Sequence, residues 1–485
     1  MRPSETDNHF MTYFQNMFES IFARRFLIIM ALFAVLLSSP SSASAQEEFK
    51  PDSYSKEEFR QKILSLSREG NYAEAILLAG NELKVREETY GKEDPYVAET
   101  AQILGQLHFK TGDYSKAEPL LKRSLEIRQK TRGPKDLTVA ESLNDLGQLY
   151  FQMGDYSQAQ SLYQRALEIR EKELGDGHSL VAVILNNQAE LYRKVGRYPQ
   201  AEPLYLRSLK IWEETYGPEH TTVANSLNNL ALFYYQLGEY DRVEPLYQQS
   251  LEIYEKTLGE NHPNVANSLN NLAEFYRKQE KYEKAEPLYL RSLKIREYVF
   301  GQESPKVAST LNNLAGLYFG MGDNARAELF YLKSLKLKEK ALGPEHPQVA
   351  QTLNNLAELY RKMKFYDQAE PLLQRSLMIK DRAYGSEHPS VATALNNLAG
   401  LYYGKGEYDK AEPLYKRAFQ IWQKSLGPTH PNIQIALGNL ANLYYRMGEP
   451  IKAKPYAARL KELQEDNAPQ SAATTQIPPE KIRPD

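Results

Sequence analysis

Two helical patterns alternate along the chain. Between Ala224 and Val265, the residues Leu227, Leu230, Ala231 and Tyr234 fall at i, i+3, i+4 and i+7, one apolar face of a helix. Gly238 breaks that pattern at a tight turn. Tyr240, Val243, Tyr247 and Leu251 then read as the buried face of a second helix. Gly259 ends it, and Pro263 opens the next helix, where a missing N–H costs nothing. Pro245 sits early in the second helix; its lost N–H is cheap if the helix starts near Tyr240 and kinks the helix otherwise. Pro203, Pro287, Pro371 and Pro413 repeat the choice.

The hairpin recurs. Leu-Asn-Asn-Leu-Ala ends at Ala231, Ala273, Ala315, Ala357 and Ala399, 42 residues apart each time. Looser copies end at Gly105, Gly147, Ala189 and Ala441, in the same register. Turn glycines at 70, 112, 154, 196, 238, 322, 406 and 448 keep the grid, with Glu280 and Lys364 filling the two vacant places. The grid marks ten units over residues 53–464 without an insertion or deletion. A lone helical hairpin cannot bury both faces, whereas stacked hairpins can, so the pattern predicts an all-α solenoid. Its ends are atypical, as capping units should be: Lys62 stands where the fifth unit has Leu230, and Pro450 replaces the turn tyrosine.

Leu230, Ala231, Tyr234, Gly238 and Tyr240 resemble the tetratricopeptide pattern of a small residue in helix A followed by a Gly-x-Tyr turn. The 42-residue period, Asn354-Asn355-Leu356-Ala357, Ala369-Glu370-Pro371-Leu372 and Gly385-Ser386-Glu387-His388-Pro389 are similar to kinesin light chain-type repeats. The resemblance implies a right-handed superhelix, with helix A lining a concave, peptide-binding groove. It covers the repeat module alone. No long heptad segment for pairing with a motor chain is present, and the motor-adaptor role is set aside.

By that resemblance, two columns face the groove. The first is the amide pairs Asn186/Asn187, Asn228/Asn229, Asn270/Asn271, Asn312/Asn313, Asn354/Asn355 and Asn396/Asn397. A primary amide offers a donor and an acceptor, the complement of a peptide bond, so a ladder of them would hold extended backbone with little sequence preference. The competing reading is that the asparagines bond neighbouring backbone and space the units. The second column alternates. Glu190-Leu-Tyr-Arg193-Lys194 recurs at Glu274 to Lys278 and Glu358 to Lys362, while the units between carry Tyr235, Phe319 and Tyr403. The period there is 84 residues. Arg193, Arg277 and Arg361 would fork onto ligand carboxylates, and the aromatic rungs would take apolar side chains. Alternatively each Glu pairs with the Arg at i+3, worth only a few tenths of a kcal/mol.

The 34 tyrosines read mostly as core. One set, Tyr150 to Tyr444 in steps of 42, holds the packing position of helix A; another, including Tyr114, Tyr156, Tyr198, Tyr240, Tyr282, Tyr366 and Tyr408, sits at the turn. His178, His220, His262, His346, His388 and His430 recur beside the start of helix A. Each lies in a different unit, so a shared ion is out of reach and a helix-entry role is expected. They would gain charge together near pH 6. No metal or cofactor is expected, and no G-x-S-x-G, H-E-x-x-H, Walker loop or G-x-G-x-x-G occurs.

Lys+Arg 60 against Asp+Glu 62 gives no nucleic-acid footprint, so the expected partners are proteins or peptides. The absence of cysteine excludes disulfides, thiolate metal sites and a cysteine nucleophile. Arg24-Arg25, an apolar run from Phe26 to Leu37 and Ala43-Ser44-Ala45 read as a secretory signal over residues 1–45. The run reaches only about 18 Å as a helix, short of a bilayer core of roughly 30 Å. Residues 46–52 then form a linker and 465–485 a disordered tail rich in Ala, Pro, Gln and Thr. The expectation is a non-catalytic scaffold, secreted or periplasmic, with no membrane span once the signal is removed. The alternatives are an N-terminal anchor in location and a self-associating envelope spacer in function.

Overall fold

The computed structural model describes residues Ser55–Asp466, which form twenty helices. They pair as helices A and B of ten units: α1 (Lys56–Glu69) with α2 (Tyr72–Tyr90), α3 (Pro95–Lys110) with α4 (Tyr114–Arg132), α5 (Leu137–Gln152) with α6 (Tyr156–Leu174), α7 (Ser179–Lys194) with α8 (Tyr198–Tyr216), and α9 (Thr221–Leu237) with α10 (Tyr240–Leu258). The second half continues with α11 (Pro263–Lys278) and α12 (Tyr282–Phe300), α13 (Pro305–Gly320) and α14 (Asn324–Leu342), α15 (Pro347–Lys362) and α16 (Tyr366–Tyr384), α17 (Pro389–Lys405) and α18 (Tyr408–Leu426), and α19 (Pro431–Arg446) and α20 (Pro450–Asp466). The described residues from Ile63 onward form one compact unit. From α3 on, each A helix packs on its own B helix, and each B helix on the next A helix. The signal, the linker and the tail beyond Asp466 lie outside the described residues.

The two connections per unit use different glycine conformations. At the A–B turn, Gly238 sits at φ 85, ψ 7, and Glu239 N–H closes back onto the Tyr234 carbonyl, a left-handed helix stop. Glu280 and Lys364, the two grid positions without glycine, take the same left-handed region at φ 58 and 63. An L side chain is strained there. Glu280→Gly and Lys364→Gly are therefore each expected to stabilise the fold by about 0.5–1 kcal/mol, read as a raised urea midpoint. A fall in the midpoint would contradict this.

At the B–A connection the glycine is held differently. Gly259 stands at φ 82, ψ 155, and the eight equivalent caps from Gly91 to Gly427 have φ 78–89 and ψ 154–168. Only glycine occupies that region readily, which explains why none of the nine has been replaced. Three residues on, the chain enters helix A: His262 N–H donates to the Gly259 carbonyl, and the His262 Nδ1 accepts from Asn264 N–H at 3.1 Å. The six recurring histidines all cap helix A through this Nδ1 bond, and the side chains of Asp94, Asp136 and Ser304 do so in three further units. The helix-entry reading is thus met by a specific bond, a side-chain acceptor for an orphan N–H.

Leu227, Leu230, Ala231 and Tyr234 are all buried, as the apolar period requires. Seven A-helix tyrosines donate their hydroxyls at 2.6–2.9 Å to the glutamate of the preceding unit's Ala-Glu-Pro, Val-Glu-Pro or Ala-Glu-Leu, for example Tyr276 to Glu244. The matching position for Tyr192 is Gln160.

Two expectations are corrected here. The turn tyrosines are not core: apart from buried Tyr156 they are half-buried, and Tyr240 is 45% exposed. They lie over the neighbouring unit, with the Tyr282 ring against Gly320 and the Tyr366 ring against Gly404. Pro245 is the sixth residue of α10, beyond the turn whose N–H groups are free, so it does remove a hydrogen bond. The helix nonetheless runs on to Leu258.

The solenoid also touches itself 236 residues apart. His388 Nε2 meets the Gln152 carbonyl at 3.0 Å, and His430 Nε2 meets the Lys194 carbonyl at 3.2 Å. Tyr114 stacks on Tyr384 at 5.9 Å between ring centroids. A Cβ at Gly154 would lie 2.8 Å from Pro389 and 2.9 Å from His388, so glycine is needed at that contact for space as well as for its φ of 77. Tyr156 joins the core formed by Val391, Ala392 and Leu395. The second, third and fourth units thereby meet the eighth, ninth and tenth along a seam between successive laps of the superhelix.

Candidate functional site

Helices α11, α13 and α15 line a groove of about 780 Å³, and α15, α17 and α19 line a second stretch of about 300 Å³. Helix A presents this face because its other side carries the Leu-x-x-Leu-Ala stripe into the core. The amide pairs lie along it, and most are tied to one another. Asn187 Nδ2 donates to Asn144 Oδ1 (2.8 Å), Asn229 to Asn186 (3.1 Å), Asn355 to Asn312 (3.2 Å), Asn397 to Asn354 (2.6 Å) and Asn439 to Asn396 (2.8 Å). The second amide of each pair thus reaches the first amide of the unit before. These bonds tie successive units together through side-chain amides rather than through backbone.

The ladder is interrupted at the middle. Asn228 turns away to donate to Ser250 (2.6 Å) and Ser268 (3.1 Å), leaving its buried Oδ1 without a partner. With its amide oxygen turned toward α12, Asn270 accepts from both terminal nitrogens of Arg296, at 3.1 and 3.2 Å. Asn271, on the ladder position facing Asn228, is exposed and has no hydrogen-bond partner among the described residues. Asn313 makes only a 3.5 Å contact with Asn312. Asn270, Asn271, Asn312, Asn313, Asn354 and Asn355 all line the larger groove.

The charged rungs are engaged on their own helices. Arg277 donates through Nε to Glu274 at 2.8 Å, Arg361 to Glu358 at 2.6 Å and Arg193 to Glu190 at 2.8 Å, each with a second parallel bond. Tyr205 and Tyr289 add their hydroxyls to Glu190 and Glu274. Burial works against the Glu274 carboxylate, but the Arg277 and Tyr289 bonds outweigh it and hold its pKa below the usual range. Exposure of the three arginines rises along the array, from 8% at Arg193 to 20% at Arg277 and 31% at Arg361. Arg277 faces the larger groove and Arg361 the smaller; Arg193 lies instead at the seam. Among the aromatic rungs, Phe319 and Tyr403 line the groove, and Tyr235 packs edge-on to Phe275 at 6.3 Å.

A further column escaped the sequence reading. The B-helix grid 86, 128, 170, 212, 254, 296, 338, 380, 422 reads Arg, Arg, Arg, Trp, Tyr, Arg, Lys, Lys, Trp, and each of these side chains is buried. Arg296 donates to Thr310 (2.7 Å), Asn267 (2.8 Å) and the Lys306 carbonyl (3.0 Å); Lys338 donates to Thr352 (2.9 Å). No carboxylate pairs with Arg296, Lys338 or Lys380 among the described residues. Burial pushes Arg296 down to about 10 and both lysines down to about 8. The signal was the grid itself, hidden because cations and aromatics share one slot.

The histidines do not titrate as a set near pH 6. Burial lowers His346, and it pushes His388 and His430 to about 4. Among the described residues, no group of three or more His, Asp or Glu side chains is placed to hold a metal ion. No described helix is long and apolar enough to cross a membrane.

Stacked hairpins with an inner groove define a helical-repeat scaffold for protein interaction. A tetratricopeptide repeat model matches residues 60–130, 104–172, 180–256, 222–297, 264–340, 306–378, 348–419 and 390–466, and a second one matches 144–214. The chain belongs to the tetratricopeptide repeat family. Similar solved structures include BtubC (BKLC) from P. vanneervenii, at 24% identity and TM-score 0.41 over 51% of this chain and 96% of that one. Another is described as "kinesin light chain nearly identical TPR-like repeats" from Podosopora anserina, at 26% identity and TM-score 0.36 over 42% and 97%. A Rap protein complexed with competence and sporulation factor aligns at 15% identity and TM-score 0.49 over 77% and 99%. No curated protein sequence matches the chain.

Proposed function

We propose that this scaffold holds extended peptide segments of partner proteins in the groove of α11, α13 and α15, without catalysis, and that it works outside the cytoplasm after export through residues 1–45. One observation carries the binding reading: the amide ladder, continuous elsewhere, opens in that groove and leaves Asn271 and Asn313 with donor and acceptor capacity facing it. A peptide backbone supplies the missing partners. Phe319 and Tyr331 on the same wall offer apolar surface to its side chains. Preformation spares the scaffold the ordering cost, although the peptide still loses its own entropy.

The test is selection of peptides from a random extended library on the chain lacking its first 45 residues, followed by Asn271→Ala/Asn313→Ala. The expected loss is about tenfold or more in affinity, the worth of one or two hydrogen bonds left unmade. Unchanged affinity in a folded variant would move recognition to another surface. Mass that rises with concentration in light scattering, with no peptide selected, would favour the self-associating spacer. N-terminal sequencing of the exported protein tests the signal: a start at Gln46 is expected, and an intact N-terminus would favour the anchor.

A further inference from the structure

The seam between laps has chemistry of its own. A cavity of about 600 Å³ lies there, with Phe151, Tyr156, Arg193, Lys194, His388 and His430 among its walls. Both nitrogens of each seam histidine are in use. His388 Nδ1 accepts from Ser390 N–H at 3.0 Å while Nε2 faces the Gln152 carbonyl; His430 Nδ1 accepts from Asn432 N–H at 3.0 Å while Nε2 faces the Lys194 carbonyl. That pattern fits only the neutral ring with its proton on Nε2. A second proton would have to enter at Nδ1, against a backbone N–H.

The groups around the rings do not welcome that proton. Lys194 on α7 and Lys380 on α16 face His388, and Lys194 faces His430. The carboxylates nearby are committed elsewhere: Glu190 is held by Arg193 and Tyr205, and Glu387, beside His388 in its own loop, pairs with Lys424 at 3.1 Å. Tyr384 stacks on the His388 ring at 4.5 Å and is itself stacked by Tyr114; Tyr156 and Tyr198 complete the wall.

We propose that the seam is an acid-released clasp, in which protonation of His388 and His430 separates the laps while the helical hairpins stay folded. The other capping histidines keep the Nδ1 bond, but among the described residues none bonds a carbonyl of another lap, so the clasp is local to these two. The linkage sign follows from burial. The closed seam holds both rings near pKa 4, and an opened seam returns them toward the ordinary value of about 6.5. The open form therefore binds more protons between those limits. Closure is complete above pH 6.5 and is lost as pH falls toward 4, the open-to-closed ratio rising up to about tenfold per pH unit for each histidine.

Small-angle scattering of the full chain tests this without any ligand. Because the chain has no cysteine, Tyr114→Cys and Tyr384→Cys can be joined selectively by a short linker that forms a reducible disulfide at each end, locking the seam in its oxidised form. Expected are a larger maximum dimension at pH 4 than at pH 7 with unchanged far-ultraviolet circular dichroism, and no expansion in the oxidised lock. The reduced lock should expand as wild type does. His388→Asn/His430→Asn, which keeps a capping acceptor but no titrating ring, should show the same dimension at both pH values. Gly154→Arg should be expanded already at pH 7. The proposal is overturned if wild type keeps its dimension at pH 4, if expansion comes with loss of helix, or if the oxidised lock or the asparagine variant expands as wild type does. Should the asparagine variant fail to fold, the oxidised and reduced lock decide between these outcomes alone.

Discussion

Lys338→Met is expected to stabilise the array by about 1–3 kcal/mol at pH 7, against the usual direction of a core substitution. Lys338 is 4% exposed, its hydrogen-bond partners are neutral, and burial has pushed its pKa down to about 8 from 10.5. A charge so placed costs on the order of 3 kcal/mol on folding. The slot accepts an apolar side chain, because Trp212, Tyr254 and Trp422 fill it in other units. Thr352 keeps its own contact with the Gln348 carbonyl when the amine is gone. The pH dependence identifies the cause. Between pH 8 and 10.5 the unfolded lysine is protonated and the folded one is not, so wild-type stability rises with pH. The methionine variant's advantage should shrink over the same range in urea titrations. A variant destabilised at pH 7 would show that the bonds to Thr352 and Gln348 outweigh desolvation.

Gly259→Ala should destabilise by about 1–3 kcal/mol, whereas Gly238→Ala should cost about 1 kcal/mol. Both glycines have positive φ and open space around a Cβ, so the difference isolates backbone conformation. With ψ 155, Gly259 lies where L residues are nearly excluded; with ψ 7, Gly238 lies where Glu280 and Lys364 already survive. Hydrogen exchange in α10 and α11 reads the effect locally, which matters in a repeat array whose unfolding need not be two-state. Equal losses at the two sites would remove the distinction.

Nearly all of the local architecture was legible from periodicity. Ten hairpins, both turns and the burial of Leu227, Leu230, Ala231 and Tyr234 follow from i, i+3, i+4 spacing and a 42-residue grid, because each contact joins residues close along that grid. The turn tyrosines were misread because an aromatic at a turn packs on whatever the next unit presents, and here that is the flat surface left by Gly320 or Gly404. At the candidate site the columns could be read but not their internal bonding. Whether Asn271 and Asn313 complete the ladder or stand free depends on which way Asn228 and Asn270 turn, and that is set by Ser250, Ser268 and Arg296 on other helices. The contact of His388 with Gln152 could not be read at all. It is the sum of small rotations over more than five units, and no single unit carries it.

That contact makes the number of repeats consequential. In an open stack a whole hairpin can be gained or lost and only neighbours notice. Here an extra unit inserted between Gly196 and Gly385 would bring His346 over the Gln152 carbonyl and His388 over that of Lys194, each followed by proline as before. A second insertion would place Ser304 over Gln152, and a deletion would leave His430 as the one histidine in reach. Copy number in this gene can therefore drift upward by one with the overlap preserved, while a single loss halves it.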